Sequence, residues 1–194
     1  MGTIRLAQQV REGAAMTLRQ IALVMLFLLS GCLVTGERSV PSLNVSSAAF
    51  NSGAPIPVMY TCDGANASPP LSWSGVPQGT AGLALVVSDP DASRGTFIHW
   101  VAYNIPPGTR EIPAGAPGKS ALPAGSVQGT NDFGRAAYGG PCPPPGKPHH
   151  YHFTVYALDA PLTLSGNRDA GALTQAVAGH VLARGELVGI YQRR

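Results

Sequence analysis

The chain has 194 residues and a formal net charge of +3, and only 12% of its residues are charged, about half the usual share. Apart from the terminal pair Arg193-Arg194 there is no basic run, so the electrostatic footprint of a nucleic-acid binder is missing and no nucleic-acid partner is expected. With 24 glycines and 18 prolines, the composition suits a loop-rich β protein better than a helical bundle.

In chain order, the first feature is Ile21–Leu29 (IALVMLFLL), an unbroken apolar run with Arg19 before it and Leu29-Ser30-Gly31-Cys32 at its end. A basic flank, a short apolar segment and small residues before a cut describe a secretory signal peptide. A membrane-spanning helix needs about 20 apolar residues. A buried core helix is the alternative, and it leaves the charge and cleavage pattern unexplained. The tetrapeptide LSGC resembles the lipobox of bacterial lipoproteins, in which Cys32 would be lipidated on sulfur and become the mature N-terminus. Met16 stands at the usual distance for such a start, so residues 1–15 read as an over-extended gene start. Leu33 follows the cysteine where inner-membrane lipoproteins carry Asp. The resemblance therefore implies a lipid-anchored protein of the bacterial envelope, in the outer membrane and facing the periplasm. The expected division is a signal peptide over 1–31, a lipidated tether over 32–41 and one domain over 42–194. Losing Arg5, Arg11, Arg19 and Glu12 with the leader lowers the net charge to +1.

With Cys32 assigned to lipid, Cys62 and Cys142 remain in a chain bound for an oxidising compartment, where disulfides persist. Both lie in polar, turn-like stretches, TCDG and GPCP. A Cys62–Cys142 bridge is favoured over two separate buried thiols or one reactive thiol, although sequence alone does not fix their spacing.

Strands are expected at Leu43–Phe50, from Leu71, at Gly82–Ser88, at Thr96–Ile105 and at Tyr151–Leu158. The run GLALVVS at Gly82–Ser88 has no polar alternation, as in a strand buried on both faces. Residues 56–70 are rich in turns, and residues 106–148 read as long loops, which compact domains keep mainly for function. One helix is expected over Asp169–Arg184, with Leu173, Ala176, Val177, His180 and Val181 on one face. Asn167 or Asp169 would cap it, Gly185 would end it, Gly179 would pack closely within it, and His180 would be a satisfied core histidine. A last strand is expected over Glu186–Gln192.

The residues able to carry chemistry concentrate between 89 and 151. Asp89-Pro90-Asp91 follows the buried strand, where Asp and Pro are ordinary turn formers but two close carboxylates can also do acid–base work or meet a cation. His99 lies in the next strand, near enough to partner an aspartate and present a donor outward. His149, His150 and His152 raise the question of a metal, but in a strand His149 faces opposite to the other two, and zinc needs three or four converging ligands. No metal and no cofactor is expected. Gly139-Gly140-Pro141 could offer backbone amides to an anion. No nucleophile elbow or dinucleotide fingerprint is present, so no catalytic residue is assigned.

Together these blocks resemble the phosphatidylethanolamine-binding protein family, in its bacterial Raf-kinase-inhibitor-like branch. The carriers are YTCDG (Tyr60–Gly64), SPPLSW (Ser68–Trp73), DPDA (Asp89–Ala92), HW (His99–Trp100), GTNDFG (Gly129–Gly134), YGGPCPPPG (Tyr138–Gly146), FTVYALD (Phe153–Asp159) and GHVLARGELVGIY (Gly179–Tyr191). The resemblance implies a mainly β, two-sheet antiparallel Greek-key sandwich with a few peripheral helices. It also implies a small pocket for phosphate or a phosphorylated headgroup, lined by Asp89, Asp91, His99, the Gly140-Pro141 turn and His149. The imidazoles and loop amides would donate to the anion, and the aspartates would orient donors or meet an ammonium. This chain departs from the family pattern at Ser93, where a proline is usual, and at His150, where an arginine is usual. The expected function is non-catalytic binding of a small anionic or phosphorylated ligand by a membrane-anchored lipoprotein. The alternatives are a module with a protein partner, such as a protease inhibitor, and an Asp/His hydrolase.

Overall fold

The computed structural model describes residues 40–115, 121–164 and 168–194. The expected leader, Cys32 and the tether up to residue 39 lie outside them, as does Asn167. Among the described residues, eight strands form two antiparallel sheets. The smaller runs β1-β2-β5, from β1 (Asn44–Ser46), β2 (Leu71–Ser74) and β5 (Glu111–Ile112). The larger runs β6-β4-β3-β7-β8, from β3 (Gly82–Asp89), β4 (Phe97–Ile105), β6 (Val127–Gln128), β7 (His149–Leu158) and β8 (Val181–Tyr191). Of β3, β4, β6 and β7, the last in sequence pairs with the first, which is the Greek-key order.

The two sheets share one core. Val45, Leu71, Trp73 and Ile112 of the smaller sheet are buried in one cluster with Leu83, Leu85, Val87, Trp100, Phe153 and Leu187 of the larger. On the other face of the larger sheet, Ala84, Val101 and Tyr103 pack with Leu173 and Val177 of α1 (Ala170–Val177). β3 is thus buried on both faces, and its unbroken apolar run is the sequence form of that position. Each fully buried Leu or Val contributes about 1.5–3 kcal/mol.

The end of the chain differs from the sequence reading. Asp169 caps α1 as expected, its Oδ1 accepting from the Ala172 amide at 2.8 Å. The helix stops at Val177, however, because Gly179 takes φ +83°, a left-handed turn conformation, with nothing packed where a Cβ would stand. Gly179 is therefore a turn former rather than a close-packing helix residue. His180 is not a core histidine: its Nδ1 pairs with Asp159 at 2.7 Å, and about half of each side chain is exposed. Val181 to Arg184 belong to β8, which pairs along its length with β7. The apolar spacing over 173–181 joined the end of a helix to the start of a strand.

The expected bridge is present. Cys62 and Cys142 are joined, with their Cα atoms 5.4 Å apart. The two segments also lie against each other through Cys62 N–H to Pro141 O at 3.0 Å and Tyr138 OH to Tyr60 O at 2.8 Å. A Cβ on Gly140 would come within 2.5 Å of the Tyr60 carbonyl oxygen, so only glycine allows this approach.

Candidate functional site

The long strands β3, β4 and β7 bring their ends to one edge of the larger sheet. There a cavity of about 270 Å³ is lined by Asp89, Asp91, Phe97, His99, His149 and Tyr151, with Ala92, Ser93, Phe133 and the Cys142–Pro144 segment completing its walls. Four expected site residues, Asp89, Asp91, His99 and His149, therefore meet in one place.

Asp89 is the hub. Its Oδ1 accepts from the Asp91 amide at 2.9 Å, closing the Asp-Pro-Asp turn. Its Oδ2 accepts from His149 Nδ1 at 2.8 Å, and both side chains are largely buried. Asp91 stands nearer solvent and pairs with its own histidine, accepting from His150 Nδ1 at 2.7 Å and from the His150 amide at 2.8 Å. Those two bonds, the side-chain one first, hold the Asp91 carboxyl below the usual range and keep it ionised. The departure at His150 thus places a carboxylate partner on the rim.

His99 differs from the other histidines. Of five in the chain, four pair Nδ1 with a carboxylate: His149, His150, His152 and His180. His99 Nδ1 instead meets the Gly139 carbonyl oxygen at 2.8 Å, in a buried position. A carbonyl only accepts, so Nδ1 carries the hydrogen. In the neutral ring Nε2 is then a lone pair. Burial pushes the His99 pKa down, against weaker opposition from the carbonyl bond and Asp89, so the ring favours its neutral form. His99 was expected to donate toward the anion; in its neutral form it accepts there.

The placement of His99 has a local cause. β3 and β4 lose register between the pairs Val87↔Trp100 and Ser88↔Ile98, which leaves His99 without an opposite residue. The bulge puts His99 and Trp100, neighbours in sequence, on the same inner side. The His99 ring meets Tyr151 edge-on at 5.1 Å while Trp100 joins the inter-sheet core. Asn131 secures the loop above: its side chain donates to the His99 and Ala137 carbonyls and accepts from the Phe133 and Arg135 amides. That loop sets Phe133 against Phe97 and His99, with ring centroids 4.8 and 5.4 Å apart. The GTNDFG block therefore supports an aromatic wall.

The Gly140-Pro141 turn stands behind the cavity. The Gly140 amide is used by Asn66 Oδ1 at 2.7 Å, and Pro141 has no amide hydrogen, so neither offers the expected backbone donor. Both residues hold Cys142 and the following prolines in the wall.

Sequence reasoning missed Tyr151 as a site residue. It is fully buried and lines the cavity, yet its hydroxyl is one of two buried side-chain polar atoms without a hydrogen-bond partner among the described residues, the other being Ser126 Oγ. Asp89 and the Cys142 amide are near it, but in hydrogen-bonding geometry with neither. Burial first, and the Asp89 charge second, push the phenol well above its usual range, so it stays protonated and remains a donor. The signal was available: on a strand Tyr151 shares a face with His149. No group of three or more His, Cys, Asp or Glu residues suited to a metal occurs among the described residues. A larger, more open groove of about 950 Å³ lies beside the start of β8, but its charged residues Arg184 and Glu186 pair with each other at 3.2 Å.

Residues 46–192 match the family model described as phosphatidylethanolamine-binding protein. The UPF0098 protein of Pyrococcus horikoshii is 49% identical over 167 residues, covering 84% of this chain and 83% of its own. A Mycobacterium tuberculosis protein named as a lipoprotein, LppC, is 43% identical over 151 residues, 77% of this chain and 72% of that one. Among solved structures, Escherichia coli YbcL, described as a member of the mammalian PEBP family, superposes with a TM-score of 0.74 at 36% identity. It covers 79% of this chain and 99% of its own. A homologue from Chlamydia trachomatis gives 0.71 at 38% identity, with the same coverage.

Proposed function

The chain belongs to the phosphatidylethanolamine-binding protein family, and on that premise we propose that it binds a small anionic or phosphorylated ligand in the Asp89–His99–His149–Tyr151 cavity without transforming it. The observation that carries this reading is the buried, unpartnered Tyr151 hydroxyl. An unsatisfied buried hydroxyl costs about 1–3 kcal/mol, and a ligand oxygen within reach would recover that cost. His149 adds a second donor when its ring is charged, because Nδ1 is already committed to Asp89 and the added proton sits on Nε2. Asp91, on the rim, is placed to meet a cationic part of the ligand. Catalysis has little support: the Cys142 sulfur is committed to the disulfide, and the cavity offers no activated nucleophile.

The proposal extends to the cell envelope. The LSGC resemblance and the relative named as a lipoprotein support a lipid anchor at Cys32, with residues 42–194 forming the binding domain outside the cytoplasm. The outer membrane facing the periplasm remains the proposed site.

Equilibrium dialysis with radiolabelled inorganic phosphate tests the binding reading. Saturable uptake at one site, abolished when His99, His149 and Tyr151 are replaced together in a folded variant, supports it. Unchanged uptake by that variant would move the function away from the cavity and toward a protein partner.

A further inference from the structure

The Cys62–Cys142 bridge lies at the surface: Cys142 is exposed and Cys62 half-buried, and neither belongs to the two buried clusters. Exposed disulfides are the more readily reduced ones. The Arg193 guanidinium stands beside this one, with Nη1 4.0 Å from Cys142 Sγ, and Asp63 Oδ1 holds it there by accepting from Nε at 3.0 Å. A cation at that sulfur favours a thiolate on Cys142 and makes it the better leaving group. Cys142 also opens a strap, residues 142–148, that walls the cavity through Cys142, Pro143 and Pro144 and ends where β7 starts at His149. Ahead of the strap, Cys62 N–H to Pro141 O, Gly140 N–H to Asn66 Oδ1 and Tyr138 OH to Tyr60 O tie the chain to the 60–66 segment without using sulfur. Past Pro141 those ties stop. Four of the seven strap residues are prolines with no amide hydrogen, and all but Pro143 are exposed. Only Gly146 is tied back further on, its amide reaching Arg193 O at 3.4 Å and its carbonyl accepting from the Gln192 side chain.

We propose, resting on the binding reading above, that Cys62–Cys142 is a redox latch on the cavity: an external dithiol reduces it in the folded protein, the strap 142–148 loosens, and the cavity loses a wall and its hold on the ligand. One thiolate of the dithiol attacks Cys62 Sγ, the S–S bond breaks, and its electron pair leaves on Cys142 as a thiolate beside Arg193. The second thiolate attacks the reductant's own sulfur in the mixed disulfide. That closes the reductant's disulfide and releases Cys62, which takes a proton from solvent. Two electrons pass from the dithiol to the bridge. The sheets do not depend on the bridge, because their buried residues lie elsewhere and the three hydrogen bonds before Pro141 remain. The change is therefore confined to the strap and the pocket it walls.

The test treats the unmodified protein with dithiothreitol in the absence of denaturant. Quenched alkylation and intact mass follow the bridge, circular dichroism follows the fold, hydrogen exchange follows the Gly146 and Lys147 amides, and equilibrium dialysis with inorganic phosphate follows the cavity. Both sulfurs should become alkylatable while the circular dichroism stays native, and exchange should rise at the strap but not in β3 or β8. Phosphate should bind about tenfold or more weakly, and reoxidation should restore it. Arg193→Ala should slow the reduction severalfold; if that variant does not fold, the unmodified protein still decides. A bridge that is reduced only when the whole chain unfolds, or a reduced protein whose strap exchange and phosphate affinity are unchanged, would overturn the latch and leave the binding reading standing. Absence of phosphate binding by the oxidised protein would overturn the binding reading and, with it, the latch's hold on a ligand, while strap exchange would still report whether reduction frees the strap.

Discussion

Asp89 and His149, sixty residues apart in sequence, meet at 2.8 Å where the ends of β3 and β7 lie side by side. The pairing fixes which imidazole nitrogen is left for the cavity, and it makes the end of one strand depend on the other. Asp89→Ala should therefore do two things. It should cost about 1.5–3 kcal/mol of stability, the scale of a hydrogen bond to a charged group. It should also weaken phosphate binding by about tenfold or more through misorientation of His149. Urea denaturation and calorimetry on the same preparation measure both. Loss of stability with intact affinity would show that His149 does not serve the ligand.

Tyr151→Phe should separate stability from function in the opposite sense. Removing a buried hydroxyl that has no partner leaves the fold unharmed or up to about 1 kcal/mol more stable. The same change removes the fixed donor and should cost about 1–2 kcal/mol of phosphate affinity. A stable variant that binds normally would deny the hydroxyl its assigned role.

Burial pushes the His99 pKa down, so the unfolded chain takes up this proton more readily than the folded one. Stability from this group is complete above the unfolded value near 6.5 and is lost as pH falls toward the lower folded value. The slope is at most about 1.4 kcal/mol per pH unit for one proton. Comparing urea midpoints of the unmodified protein with those of His99→Gln between pH 7.5 and pH 5 isolates it. The unmodified protein should lose more stability than the variant on acidification. Parallel curves would mean that His99 titrates alike in both states.

The Cys62–Cys142 bridge spans 80 positions, and the chain-entropy treatment assigns a loop of that size about 4.5 kcal/mol. Paired replacement by serine should lower stability by up to about that amount. Phosphate affinity should fall as well, since Cys142, Pro143 and Pro144 form part of the cavity wall. Intact mass after alkylation, with and without reduction, checks that both sulfurs are blocked in the native protein. Chemical denaturation gives the cost.

Metabolic labelling with a fatty-acid analogue checks the proposed anchor. Label should appear on the unmodified protein and vanish in Cys32→Ala, which should also remain unprocessed. An unlabelled parent protein would remove the lipid anchor from the account.

Much of the architecture was legible because its signals are local. The unbroken GLALVVS run marked the strand buried on both faces, and the polar contexts of Cys62 and Cys142 pointed to their pairing. The end of α1 was harder. The spacing that places Leu173 and Val177 on one helix face also suits Val181 on a strand, and the turn at Ala178-Gly179, with its positive φ at Gly179, separates the two elements. At the site, the motifs brought Asp89, Asp91, His99 and His149 together, but hydrogen-bond direction is set by contacts distant in sequence. Nothing near His99 in the chain announces that a carbonyl forty residues away will fix its tautomer. Nor does the glycine-rich turn announce that Asn66 will take the Gly140 amide.

The unopposed position of His99 makes the length of β4 as specific as its composition. Deleting Ile98 would heal the ladder by moving His99 opposite Ser88, and because opposite residues share a face, the imidazole would turn from the cavity to the helix layer. Deleting His99 would heal it as well and leave Ile98 and Phe97 on their present faces. Either chain would keep nearly all of its residues and its sheet, yet its pocket would lack the His99 ring. Along this stretch an insertion or deletion should be tolerated less than a substitution.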